Sequence, residues 1–205
     1  MKRIFTFLAA MAIAFSSFAQ TADEIVTRMD EEMSKHDAEG LIMTVSTKIP
    51  LLGTMDMRTW TLGDKSRGEA TMMGETVVTY SDGTTSWTYD TKSNKIEIKN
   101  ETPGEKSNDD SELFQGITEG YGVSIKKEYA DAWQIECKKL KENKDKDAPK
   151  TMEIVVAKET FFLKSLKASM SGLTITLKDI EFGVTEEDVT FNPDKYPGAT
   201  IEDKR

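Results

Sequence analysis

From Gly40 onward, hydrophobic and polar residues alternate with a period of two; before it they do not. LIMTVSTKI (41–49), TMDMRTWTL (54–62), ETVVTY (75–80), TSWTYD (85–90) and KIEIK (95–99) are short runs rich in Thr, Val, Ile and aromatic residues, separated by Gly, Asp, Asn and Ser. This pattern predicts the strands of an antiparallel meander. Ser81-Asp82-Gly83 marks one tight turn and Lys92-Ser93-Asn94 the next. After a polar stretch, ETPGEKSNDDSE (101–112), the alternation resumes in YGVSIKKEY, AWQIECKKL, TMEIVVA, FFLKSLKAS and LTITLKDIEF, between 121 and 182. The charged run KENKDKDAPK (141–150) reads as a solvated hairpin loop. The tail from 189 adds a final short strand and Pro-punctuated irregular chain.

Two segments break the period. In TADEIVTRMDEEMSKHDAEG (21–40), Ala22, Ile25, Val26, Met29 and Met33 recur at helical intervals, Thr21 and Glu24 have capping-box spacing, and Gly40 supplies a stop. Its apolar stripe has to lie on something. SELFQGITEG (111–120) carries Leu113, Phe114 and Ile117 at helical spacing, a short second helix or single turn. The expected architecture is mainly β with some α. About ten antiparallel strands form one curled sheet with the N-terminal helix across its concave side. Whether side chains fill the interior or leave room for a ligand stays open at this point.

Composition narrows the function. MKRIFTFLAAMAIAFSSFAQ reads as a secretory signal: Lys2 and Arg3, then an apolar stretch from Ile4 to Phe15, then Ser17 and Ala19 at the −3 and −1 positions. Cleavage after Ala19 would leave one domain, residues 20–205, exported and soluble in the periplasm. No cysteine follows the cleavage point, so a lipidated N-terminus is not expected. The mature chain would hold 25 basic against 36 acidic side chains, a net charge of −11. That balance argues against nucleic acid and anionic lipid headgroups, but not against an uncharged acyl chain. Cys137 stands alone and shares a face with Trp133 and Ile135, so it reads as a buried, inert thiol.

Chemistry is hard to place. The carboxylates are scattered, and the chain lacks a glycine-rich phosphate loop, a serine elbow and a second histidine to pair with His36 on a metal. His36 reads as a surface or capping residue at the helix C-terminus. Asp109-Asp110 and Glu186-Glu187-Asp188 lack the ligand spacing of a calcium loop and read as loop solvation. No enzymatic activity, cofactor or metal is expected. What stands out is methionine: Met29 and Met33 on the helix, then Met43, Met55, Met57, Met72 and Met73 along the first strands. Adaptable methionine walls suit flexible apolar ligands, and they also fill gaps in a curved core.

Two stretches resemble a known family. SDGTTSWTYDTKSNKIEI (81–98) is similar to the "DGKTLW-Y-P" segment of the periplasmic outer-membrane lipoprotein carriers (LolA), and VTFNPDKYPGATIEDKR (189–205) resembles that family's closing Phe-x-x-Pro-x-x-Gly segment. The order of elements matches over nearly the whole mature chain. The resemblance implies an incomplete, half-open antiparallel barrel closed by helices, whose cavity receives lipoprotein acyl chains. It also implies a monomer that takes cargo from an inner-membrane lipoprotein-releasing transporter and passes it to an outer-membrane acceptor. Candidate cavity and lid residues are Ile25, Val26, Met29, Met33, Met43, Met55, Met57, Trp87, Tyr89 and Phe114. The period alone leaves open whether the Trp87–Tyr89 face lines the cavity or packs beneath an outer element. The family's Arg-Pro latch after the second strand is missing from TLGDKSRGEAT (61–71), which leaves Arg67 or Arg58 as candidate latches. The alternative readings are a sensor or interaction module on the same fold, or a carrier of a glycolipid or phospholipid.

Overall fold

The computed structural model describes residues 20–51, 53–72, 74–101, 114, 116–170 and 172–205. The signal segment, Asp109-Asp110, Leu113 and Met73 lie outside them. Helix α1 (Ala22–Ser34) opens on the predicted capping box: the Glu24 N–H donates to Thr21 Oγ1, and the Thr21 N–H donates to Glu24 Oε2. A single 3-10 turn (Asp37–Glu39) leads to Gly40, whose φ of +71° favours glycine. A Cβ there would meet the Thr61 carbonyl oxygen at 2.5 Å, so the chain can enter the sheet closely only at this residue.

Twelve strands follow: β1 (Leu41–Ile49), β2 (Gly53–Leu62), β3 (Lys65–Met72), β4 (Glu75–Ser81), β5 (Thr85–Asp90), β6 (Lys95–Asn100), β7 (Tyr121–Glu128), β8 (Ala132–Lys139), β9 (Thr151–Ala157), β10 (Leu163–Met170), β11 (Leu173–Phe182) and β12 (Thr200–Asp203). They form one sheet in the order β12-β6-β5-β4-β3-β2-β1-β11-β10-β9-β8-β7. Two meanders, β1 to β6 and β7 to β11, therefore run outward in opposite directions from the antiparallel β1·β11 pair. The strip ends in β12 and β7, giving the half-open barrel rather than a closed one.

Three expectations change in the structure. The described residues form twelve strands: the ten runs and the final short strand that the alternation marks, and β3, which it does not. Its inner positions are Ser66, Gly68 and Ala70, too small and polar to register as alternation, and the Gly63-Asp64 turn before it carries the signal instead. β12 runs parallel to β6, so the sheet is not wholly antiparallel. The short second helix, α2, is Glu186–Val189, where Asp188 and Thr185 form a capping box in place of the expected loop solvation. In the region expected to form a short helix or a single turn, the described residues Phe114 and 116–120 form turns.

The core lies on the inner face, the one α1 covers. Ile25, Val26, Met29 and Met33 pack onto Ile135, Cys137, Met152, Ile154, Val156, Leu163, Leu166 and Ala168 of β8–β10, with Leu41, Met43 and Phe114. The Arg28 guanidinium sits 3.7 Å from the ring centre of Phe161, in the turn between β9 and β10. A second apolar layer lies on the outer face of β4–β6, where Val78, Tyr80, Ile96 and Ile98 are buried.

Candidate functional site

Strand register turns the alternation into a wall. Directly paired residues on the inner face run from Ile125 through Ile135, Ile154, Leu166, Leu177, Val45, Met57 and Ala70 to Val77, an unbroken apolar row across nine strands. A second row runs beside it from Val123 through Cys137, Met152, Ala168, Ile175 and Thr47 to Met55. Cross-strand neighbours share a face, so both rows look toward α1.

α1 covers only part of them. Ile135 and Ile154 are fully buried, whereas Val45, Met57, Ala70 and Leu177 are half-buried and Val77 is 37 % exposed. The Met57 thioether lies 3.6 Å from where a side chain at Gly68 would begin, so it passes over β3 in ordinary contact with that position. The inner face of β2–β5 carries uncharged residues (Met55, Met57, Thr59, Ser66, Ala70, Thr79, Thr88) until Asp90 and Glu75 at its rim. The result is a neutral trough that starts beneath α1 and emerges beside it.

The space directly beneath α1 is filled by side chains. Near the helix C-terminus, a pocket of about 20 Å³ opens among Asp30, Met33, Ser34, His36, Leu41, Thr61, Phe114 and Phe182, enough for one water molecule. Asp30 borders it with a half-buried carboxyl group. Its Oδ1 is buried without a hydrogen-bond partner, and the Gly116 N–H donates to the same carboxylate. Burial pushes this carboxyl group up to about 6, against the smaller downward pull of the Gly116 bond. His36 stacks on Phe182 at 4.8 Å, meets Phe162 edge-on at 5.1 Å and bonds Glu39 Oε1 at 2.8 Å, while its backbone N–H donates to the Met33 carbonyl at 3.0 Å at the end of α1.

The structure separates the sequence candidates into two groups. Ile25, Val26, Met29, Met33, Met43 and Phe114 come together in the covered core, and Met55 and Met57 line the uncovered trough. Trp87 and Tyr89 lie on the opposite face. They pair with Tyr80, Ile98, Val78 and Ile96, and they carry the C-terminal segment: Phe191 stacks on Trp87 at 5.4 Å, and Tyr196 covers Tyr89 at 4.4 Å. The outer element is thus what that face packs beneath. Arg67 and Arg58 share the face. Arg67 lies 4.5 Å from the ring centre of Trp60 and pairs with Glu69, and Arg58 reaches Glu181 at 3.5 Å; neither is placed to hold α1. Sequence reasoning missed Val45, Ala70, Val77, Ile175 and Leu177. Each lies in an alternating run, but only the register shows that they share a row.

Cys137 is buried, and burial, aided by Glu136, pushes its thiol up to about 11. Among the described residues no cluster of His, Cys, Asp or Glu could hold a metal ion, and no helix is long and apolar enough to cross a membrane.

No family model matches the chain, and no curated protein matches it. Some solved structures are similar to it. An uncharacterized conserved protein from Thermus thermophilus is 15% identical over 89% of this chain and 99% of its own, with a TM-score of 0.48. The lipoprotein LppX of Mycobacterium tuberculosis is 13% identical over 80% and 97%, at 0.49. A LolA superfamily protein from Nitrosomonas europaea is 12% identical over 84% and 99%, at 0.32. The fold itself is mainly β: an open sheet with a helix across its inner face.

Proposed function

We propose that this protein is an exported, non-enzymatic carrier of acyl chains, which it admits between α1 and the inner face of the sheet. The observation that carries this reading is the nine-strand apolar row, sealed by α1 over β8–β10 and left half-buried to exposed from β11 to β4, with Ile125 exposed at its β7 end. A chain can lie on the uncovered stretch and then advance under the helix, exchanging one set of apolar contacts for another. The four large side chains of α1 contribute about 1.5–3 kcal/mol each when buried, about 6–12 kcal/mol in all. Each buried methylene contributes about 0.8 kcal/mol, so one or two long chains match the helix they displace. The finer reading is that the cargo is a lipoprotein moving from the inner to the outer membrane after cleavage of the leader following Ala19. It is supported by the two resembling segments and by the inner face of β2–β5, whose described residues include no cation to favour an anionic headgroup.

The test is affinity against chain length, using single-chain acyl probes with a common neutral head and residues 20–205. The expected gain is about fourfold per added methylene until the wall is filled. Affinity independent of length would overturn the proposal. Mass spectrometry of what co-purifies from the native envelope separates the cargoes: triacylated peptide supports the lipoprotein reading, and free glycolipid replaces it.

A further inference from the structure

The one poorly solvated acid on the inner side of α1 sits where the helix would have to lift. Asp30 follows Met29, a fully buried residue of the stripe, and its carboxyl group faces the small pocket closed by Leu41 of β1, Thr61 of β2, Phe182 of β11 and Phe114. Its hydrogen-bond supply there is the Gly116 N–H, while Oδ1 is left without a partner. An ionised carboxylate offers about four lone-pair sites, and a space of about 20 Å³ cannot restore the hydration it loses. The cations of α1 and its C-cap are engaged elsewhere: Arg28 on Phe161, and Lys35 with Glu32 at 2.7 Å. The other titratable groups around the pocket are His36 and Asp37 from the segment after α1, with Glu119 on the turn that carries Gly116. The facing residues of β1, β2 and β11 are uncharged.

We propose that Asp30 is the release catch of the covering helix: ionised, it weakens the seal of α1 on the sheet, and protonated, it lets the seal close. This rests on the carrier reading and supplies its regulation. The sign follows from burial. A carboxyl group held near 6 in the closed molecule and near 3.8 once exposed favours closure at low pH, and that advantage is lost as pH rises through about 6. Near neutral pH the helix is therefore poised to open, and acidification locks it. Asp30 acts through the position of α1, so it is a positioning residue and not a ligand contact.

Hydrogen exchange of the α1 amides, corrected for intrinsic rates, reads the opening directly in residues 20–205 without ligand. Wild type is expected to open about tenfold more often at pH 7.5 than at pH 5. Asp30→Asn keeps the shape and removes the charge; it should open at least tenfold less than wild type at pH 7.5 and show no pH step. Glu31→Gln, on the exposed side of the same helix, should behave as wild type. Uptake of the uncharged fluorophore N-phenyl-1-naphthylamine should slow in Asp30→Asn by the same factor. Equal α1 opening in wild type and Asp30→Asn, or a pH step that survives in Asp30→Asn, overturns the catch. Those results leave the carrier reading to its own chain-length test. Conversely, a pH-gated helix in a protein that binds no acyl probe keeps the catch and removes the carrier.

Discussion

Replacing Arg28 with glutamine separates the cover from the wall. Arg28 is exposed and lies outside the apolar stripe, yet its guanidinium rests 3.7 Å from the Phe161 ring centre and pins α1 to the β9–β10 turn. Phe161 is itself constrained: its φ is +59°, its N–H donates to the Ala157 carbonyl at 3.0 Å, and its ring packs on Trp133 at 5.5 Å. A cation over an aromatic face at an exposed site is worth about 0.5–1 kcal/mol. Arg28→Gln should therefore raise the opening constant of α1 about two- to fivefold. No contact to a chain in the trough is lost. If the closed helix competes with the ligand, apparent affinity is intrinsic affinity scaled by the open fraction. The variant should then bind a long acyl probe about two- to fivefold more tightly while its α1 amides exchange faster by the same factor. Titration with a fluorescent acyl probe and hydrogen exchange on the same sample make the comparison. Faster exchange with unchanged or weaker binding would refute the idea that α1 competes with cargo.

Two further substitutions divide the faces of the sheet. Met57→Glu places a charge in the middle of the half-exposed row, where its side chain can still reach water; folding should persist while acyl affinity falls at least tenfold, read by circular dichroism and the same titration. Phe191→Ala removes the ring stacked on Trp87 and Tyr196; it should cost about 2–4 kcal/mol in urea unfolding and leave the affinity of the remaining folded protein unchanged, because that layer lies on the outer face.

The helix and most strands were legible because each carries its own period. Met29 and Met33 announce an amphipathic helix, and LIMTVSTKI announces a strand, without reference to any neighbour. β3 was not legible for the opposite reason. Its inner positions, Ser66, Gly68 and Ala70, are small or polar and carry no apolar alternation of their own; their place in the wall is set by pairing with Thr61, Thr59 and Met57 of the partner strand. The site was legible only in part. Period two states that Trp87 and Tyr89 share a face, but which face requires the register to carry Met43 across β1–β5 to Thr88, leaving Trp87 with Ile42 and Trp60 on the other side. The latch suffered the same ambiguity: Arg58 and Arg67 are at outer positions of their strands.

The two covers of this sheet are held by different forces, and that difference determines which one can move. The C-terminal segment is tied to the outer face by directional contacts: stacked rings at Trp87 and Tyr89, a Tyr196–Tyr80 hydroxyl bond at 3.1 Å, Asn94 Nδ2 donating to the Gly198 carbonyl at 3.0 Å, and a β12·β6 ladder. A greasy chain could replace none of the hydrogen bonds, so lifting this cover would strand polar groups. α1 meets the inner face mainly through Ile25, Val26, Met29 and Met33, and such contacts are non-directional; methylenes of another molecule restore them nearly in full. The polar element on its inner side, the Asp30 carboxyl group, gains hydration when the helix lifts. A cover meant to stay would pair that acid or replace it with leucine. Leaving it half-buried and under-bonded at the edge of a continuous apolar wall is the arrangement expected of a cover that must come off.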